Sequence, residues 1–285
     1  MIETSIEING STQLYALLGS PIRHSLSPLI HNTSFKSLGI NAVFLAFDSL
    51  DLKQALSGFK ALGVAGFSVT VPHKVAVTSY LDEVSFEAKL IGSVNTVVQK
   101  RGKWIGYNTD VIGFTKTLEP FRKKVENKKV LVLGAGGSAR AVIYSLVNNY
   151  DVGEIFVFNR TQERALQLIS DFASIRSDAT LRFVSSDELP KLGAKVIVNT
   201  TSVGLASEEC LVKPDFFDSE MIVYDLIYDP IRTVLLRYAH ASGAATINGL
   251  DMLVEQAAAA FYLWTEKIMP IETVKKNLLE KVDNQ

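Results

Sequence analysis

The chain has 285 residues, 47% hydrophobic and 21% charged, which suits a protein with a buried core and excludes a disordered or collagen-like polymer; its length favours two domains over one. Twenty-nine basic residues against thirty acidic ones leave a net charge of −1, so no bulk field gathers nucleic acid or an anionic membrane, and any bound anion must be gripped locally. The single Cys210 cannot form an internal disulfide or a Cys-rich zinc site, MIETSIEING does not read as a secretion signal, and the longest apolar stretch, Ala257 to Trp264, is far too short to span a membrane. A soluble cytoplasmic protein in a reducing compartment is expected.

No solenoid repeat or low-complexity tract interrupts the chain, so it reads as successive strands and helices. LYALLG (14–19), AVFLAF (42–47) and GFSVTV (66–71) are strand-like, with helical stretches near 28–38 and 51–61 between them. That βαβα order predicts a mostly parallel sheet. NTVVQ (95–99) and KWIGY (103–107), joined through Lys100-Arg101-Gly102, predict a hairpin, and a helix over 111–118 leads out of it. A second series begins at Lys128: KVLVLG, a helix from about 137 to 148, EIFVFN (154–159), a helix from about 161 to 172, then RFVSS, KVIVNT, MIVYDL and ATING. Six strand candidates with intervening helices are the count of a doubly wound sheet. Helices near 250–265 and 272–282 close the chain, either completing the second unit or folding back on the first.

Gly134-Ala135-Gly136-Gly137-Ser138-Ala139 follows the strand KVLVL and opens an apolar helix, so it fits G-x-G-x-x-A in the strand–turn–helix context a dinucleotide site requires. Gly134 permits the turn, Gly136 lets the backbone approach a pyrophosphate, and Ala139 lets helix and strand pack closely. The alternative is a glycine turn in a nucleotide-free fold. An NAD-selective site carries an acid at the end of the next strand; here that strand ends Phe158-Asn159-Arg160. Arg160 and Arg164 stand at the start of the helix opened by Thr161, where the positive dipole end disfavours cations unless an anion joins them. A 2′-phosphate is such an anion, so NADP is favoured over NAD; two solvated arginines are the alternative.

Ser25-Leu26-Ser27-Pro28 precedes a helix, with Ser27 suited to the N-cap and Pro28 to the first helical position. Capping alone would explain Ser27, yet two hydroxyls at a helix N-terminus could also receive a carboxylate. In Ser68-Val69-Thr70-Val71-Pro72-His73-Lys74 a buried strand gives way to a helix, which places Lys74 in a first helical turn. There the dipole opposes a positive charge, a useful bias for a proton-transferring lysine; a solvated surface lysine is the alternative. Asp110, in Gly106-Tyr107-Asn108-Thr109-Asp110, could be an N-cap, or could pair with Lys74 and bond a substrate hydroxyl. Asn95 offers a further donor and acceptor, or is a turn asparagine. Gln256 interrupts an apolar run and is either on a wet face or buried with partners. Tyr228 lies at the C-terminal end of a strand, where doubly wound sheets bind ligands, or is simply packed. His24, His31, His73 and His240 form no HxxxH pattern, so no metal site is expected. Glu208 and Glu209 beside Cys210 work against a thiolate.

Together these motifs resemble the shikimate dehydrogenase family, NADP-dependent oxidoreductases of aromatic amino-acid (chorismate) biosynthesis. The matching strings are GSPIRHSLSPLIHN (19–32), SVTVPHK (68–74), GSVNTVV (92–98), GYNTD (106–110), VLGAGGSARA (132–141), FNRTQERA (158–165), NTTSVG (199–204), DLIYDP (225–230) and NGLDMLVEQAAAAFYLW (248–264). They run in the family's order over nearly the whole chain. The resemblance implies an α/β fold of two domains: a substrate domain of residues 1–110 plus 250–285, and a Rossmann NADP domain of residues 111–249. It implies that Ser25 and Ser27 bind the shikimate carboxylate, that Thr70, Asn95, Tyr228 and Gln256 line the ring site, and that Lys74 and Asp110 are the catalytic pair. Gly134, Ala135, Gly136, Gly137 and Ser138 match positions for pyrophosphate, Asn159, Arg160, Thr161 and Arg164 positions for the 2′-phosphate, and Leu226 and Gly249 positions on the nicotinamide side. Val111 replaces a usual glycine and Asn199-Thr200-Thr201 a commoner NAT.

The implied reaction is reversible reduction of 3-dehydroshikimate to shikimate by NADPH, in a monomer or homodimer without nucleic-acid or membrane partners. A quinate/shikimate dehydrogenase of the same fold is the nearest rival. A catalytically idle NADP-binding sensor is the other, and it would be expected to lose the lysine or the aspartate.

Overall fold

In the computed structural model, which describes residues 7–173 and 180–283, the first strands and helices follow the apolar runs closely. They are β1 (Gln13–Gly19), α1 (Ser27–Ser37), β2 (Ala42–Asp48), α2 (Leu52–Ala61), β3 (Gly66–Val69), β4 (Glu83–Val84), α3 (Phe86–Ile91), β5 (Thr96–Lys100) and β6 (Lys103–Tyr107). The chain divides into two compact units, Met1–Thr109 with Val254–Gln285, and Asp110–Leu253.

The first unit's sheet has the order β2-β1-β3-β5-β6-β4. It is more mixed than the βαβα reading predicts: β1 is parallel to β2 and β3, and β4 to β6, but β5 runs antiparallel to both β3 and β6. The cause is local. Arg101 and Gly102 both take positive φ, 53° and 78°, which is the two-residue turn that sends a strand straight back on itself. At the outer edge, β2 is blocked by Asn32, whose Nδ2 donates to the Phe44 carbonyl (2.9 Å) while its Oδ1 accepts from the Phe44 N–H (2.8 Å). That amide takes the groups an incoming strand would use.

The chain's last segment packs into this unit. It comprises most of α9 (Leu250–Thr265) and all of α10 (Ile271–Asp283), so the closing helices fold back on the first sheet. Trp264 donates its indole N–H to the Val97 carbonyl at 3.0 Å, over Gly66, where a Cβ would lie 2.6 Å from the indole. His31 stacks on Phe44 with ring centroids 4.4 Å apart. Burial drives its pKa down to about 3, so the ring stays neutral in the core.

The second unit contains α4 (Asp110–Leu118), α5 (Arg122–Val125), β7 (Lys129–Leu133), α6 (Gly137–Asn149), β8 (Glu154–Phe158), α7 (Gln162–Phe172), β9 (Thr180–Phe183), β10 (Val196–Asn199), β11 (Ile222–Asp225), α8 (Val234–Ala241) and β12 (Ala245–Ile247). All six strands are parallel, in the order β12-β11-β10-β7-β8-β9. This is the doubly wound order, with its switch point between β7 and β10. After Lys129, the run VLVL is apolar throughout because β7 is covered twice: Val130 and Val132 face the layer of α6, and Leu131 and Leu133 face that of α8. No helix among the described residues is long and apolar enough to cross a membrane.

Candidate functional site

The glycine turn after β7 contains two glycines with different reasons to be there. Gly134 has φ +111°, donates its N–H to the Phe158 carbonyl at 2.7 Å, and has no room for a Cβ, which would lie 2.4 Å from Thr200 Oγ1. Packing at the switch point therefore requires Gly134 with or without a ligand. Gly136 is different. It is exposed, occupies the N-cap of α6 without a side-chain cap, and has nothing within 4 Å of where its Cβ would be. Gly136 thus opens the 13-residue α6, between Ala135 and Gly137-Ser138, without crowding at its Cβ position, which suits a helix terminus that receives an anion. Ala139 is fully buried. Gly134→Ala is expected to cost about 1–3 kcal/mol from the strained φ alone, measured as a lower urea midpoint; an unchanged midpoint would refute the packing argument.

After β8, Asn159 donates its side-chain amide to the Thr161 carbonyl at 2.7 Å. Thr161 is the N-cap of α7, again without a side-chain cap bond. Arg160, Thr161 and Arg164 are exposed. Neither arginine pairs with a described acid, although Arg122, Arg140, Arg182 and Arg237 each do.

Beyond β11, Leu226 and the half-buried Tyr228 lie in a loop whose backbone meets Gly249: a Cβ on Gly249 would lie 2.0 Å from the Leu226 oxygen. What holds this loop is a side chain to which the sequence motifs give no role. Asp225 is fully buried and accepts from Asn199, the Ile227 N–H and Thr233. Its signal was an acid ending an apolar strand, MIVYD, where a buried charge must find donors. Cys210 has a raised thiol pKa, as expected, but burial is the main cause and the neighbouring glutamates are not.

In the first unit, two local expectations need correction. Ser27 is not the N-cap: α1 begins at Ser27, Leu26 is the cap residue, and no side chain caps the helix. Ser27's own N–H donates to Ser25 Oγ at 3.2 Å, so both hydroxyl protons remain available to an acceptor, and capping no longer explains Ser27. Lys74 is not in a helix either. Residues 71–75 form a turn, and a short 3₁₀ helix starts at Ala76, so the helix-dipole argument lapses. Instead the half-buried Lys74 is fixed by its backbone: its carbonyl accepts from the Val94 N–H at 2.8 Å, and the Thr70 N–H bonds the Leu18 carbonyl at 2.9 Å. His73, just before it, is buried with Nε2 2.7 Å from the Ser49 carbonyl.

Asn95 and Gln256, 161 residues apart, meet at 3.3 Å, which settles Gln256 as an amide with partners. Asn95 Oδ1 accepts from the Thr109 N–H (2.7 Å) and Thr96 Oγ1 (3.0 Å), so its Nδ2 is the end that donates to Thr109 Oγ1 (3.0 Å) and Gln256 Oε1. Thr109, the unnoticed residue in GYNTD, is the hub of this network. Asp110 follows as the first residue of α4, 5% exposed.

A fully parallel doubly wound sheet with an uncapped glycine turn after its central strand is the class of fold that binds dinucleotides at the carboxyl ends of its strands. Comparison narrows that class. The shikimate dehydrogenase substrate binding domain matches residues 17–97, the shikimate / quinate 5-dehydrogenase family residues 117–212, and the shikimate 5′-dehydrogenase C-terminal domain residues 249–279. The NADP(+) shikimate dehydrogenase of Caldanaerobacter subterraneus subsp. tengcongensis is 44% identical over 273 residues, covering 91% of this chain and 94% of that protein. A solved shikimate dehydrogenase in complex with NADP+ is 41% identical with a TM-score of 0.87, covering 97% of this chain and 98% of its own. Quinate dehydrogenase from Corynebacterium glutamicum, solved with NAD, is 30% identical with a TM-score of 0.85, covering 94% and 99%. The chain belongs to the shikimate dehydrogenase family.

Proposed function

We propose that this chain is an NADP-dependent shikimate dehydrogenase that reversibly reduces 3-dehydroshikimate to shikimate in the cytoplasm, as a monomer or homodimer. Residues 1–110 with 250–285 act as the substrate domain and residues 111–249 as the NADP domain. Within this family, the observation that carries the choice of cofactor is the pair of unbalanced cations after β8, Arg160 and Arg164, where an NAD site would carry an acid. With Asn159 and Thr161 they suit a 2′-phosphate, and the glycine turn from Gly134 to Ser138, which opens α6, suits a pyrophosphate.

Bound NADPH supplies the hydride for the ring ketone. The rest is done by this chain's side chains. Ser25 and Ser27 donate their hydroxyl protons to the substrate carboxylate and so fix the ring. Thr70, Tyr228 and the oriented Asn95–Gln256 amides bond its hydroxyls. Lys74 gives its proton to the oxygen that gains negative charge during reduction and takes it back in the reverse direction. Asp110 orients that ammonium and accepts from a neighbouring hydroxyl. Leu226 and Gly249 would hold the nicotinamide end.

Initial rates with shikimate and quinate, each with NADP and NAD, test the reading. Shikimate with NADP is expected to be the fastest of the four pairs. Equal or faster turnover of quinate would move the chain to the quinate-using branch, and no turnover in any pair would leave an NADP-binding sensor.

A further inference from the structure

The chemistry above gives no task to Asp225, a carboxylate 0% exposed at the end of β11. Its Oδ1 accepts from Asn199 Nδ2 at 2.9 Å and from the Ile227 N–H at 3.1 Å, and its Oδ2 accepts from Thr233 Oγ1 at 2.7 Å. All three partners donate, so the pocket is arranged for the ionised carboxylate. Burial nevertheless pushes the pKa up to about 6. An apolar residue in this place would leave those three donors without their acceptor.

What the carboxylate organises is the carboxyl-terminal end of these strands. Asn199 Oδ1 accepts from the Thr201 N–H (3.0 Å) and Oγ1 (2.7 Å), shaping the loop in which Thr200 Oγ1 donates to the Leu133 carbonyl (2.7 Å) beside Gly134. The Ile227 carbonyl accepts the Gly249 N–H at 3.0 Å, pressing Gly249 onto the Leu226 carbonyl. Thr233 caps α8 by accepting from the Leu236 N–H at 3.3 Å. The ends of β10, β11 and β12 and the start of α8 are therefore joined through one side chain. Asn159, Arg160 and α7 bond neither Asp225 nor these partners.

We propose that Asp225 is a positioning residue for the nicotinamide half of the cofactor, fixing the Leu226–Ile227 backbone against Gly249 while leaving the adenosine end untouched. This rests on the reading that the unit binds NADP. Asp225→Ala in the full chain tests it by three measurements. Without ligand, amide hydrogen exchange at Ile227 and Gly249 is expected to accelerate about tenfold or more while β7 and β8 stay protected. Adenosine 2′,5′-bisphosphate, which lacks the nicotinamide, should bind within about threefold of wild type by calorimetry. Shikimate turnover should fall about tenfold or more, with a larger isotope effect from deuterium on the transferred position.

Unchanged exchange at Ile227 and Gly249 overturns the proposal, and so does loss of bisphosphate binding in step with turnover. If Asp225→Ala does not fold, Thr233→Val removes one of the three donors and should show the same pattern at smaller amplitude; exchange at Ile227 unchanged in that variant overturns it equally. The wild-type chain tests the reading underneath. Bisphosphate binding no tighter than that of adenosine 5′-monophosphate would remove the NADP assignment, whatever Asp225 does.

Discussion

Lys74→Ala is expected to lower kcat for shikimate oxidation by roughly 10²- to 10⁴-fold, the range for removing one positioned acid or base, while KM for shikimate moves no more than about threefold. In barrier terms that is roughly 3–5 kcal/mol. The split follows from which bonds the side chain makes at each stage. Ground-state grip on the substrate is assigned to Ser25 and Ser27 and to the Asn95–Gln256 amides, and those stay in place. The ammonium matters most when charge builds on the ring oxygen, so its loss falls on the transition state.

The variant isolates that effect because the Lys74 turn is held by main-chain bonds. The Val94 N–H bonds the Lys74 carbonyl, the Val77 N–H bonds the His73 carbonyl, and the Ser20 N–H bonds the Val71 carbonyl, at 2.8, 2.9 and 2.9 Å. None needs the lysine side chain. Lys74→Met, which keeps most of the aliphatic stem, should match Lys74→Ala in kcat. Turnover near wild type in either variant would remove Lys74 from the chemistry, and a rise in KM with kcat preserved would make it a binding residue.

How far the sequence foretold this arrangement depends on the range of the interaction that fixes each part. Elements set by local pattern were legible: β1, β2, α2 and α9 lie where apolar periodicity puts them, and the glycine turn follows its strand as the motif requires. Short elements were not. β4 has two residues and α3 six, too few to show a period, and β4 exists because β6 offers it an edge. The errors at Ser27 and Lys74 are of another kind. A Ser-Pro or Pro-His-Lys string is compatible with several backbone conformations, and whether a residue caps a helix, starts it or sits in a turn is decided by φ and ψ. Bonds such as Asn95 to Gln256 or Asn199 to Asp225 join residues distant in the chain, and only folding brings them together. The motifs named some of these residues without revealing Thr109 and Asp225 as the groups that orient them.

The second large effect is expected at the cofactor's adenosine end. Arg160→Ala and Arg164→Ala should each weaken NADP binding by roughly 10- to 100-fold, the usual worth of a charge-assisted hydrogen bond to phosphate, with NAD binding nearly unchanged. Both arginines lie at the positive end of the 11-residue helix α7, which is unfavourable for cations. Glu163, the acid in that first turn, pairs with neither. A phosphate placed there relieves the repulsion as well as accepting the guanidinium protons, so its removal costs the complex and not the free protein. The apo melting temperature of Arg160→Ala should therefore stay level or rise slightly. Because both side chains are exposed, wild-type affinity for NADP should fall with added salt, and the double variant should lose most of that dependence. If Arg160→Ala weakens NADP and NAD equally, the arginines do not read the 2′-phosphate and the preference for NADP must be built elsewhere.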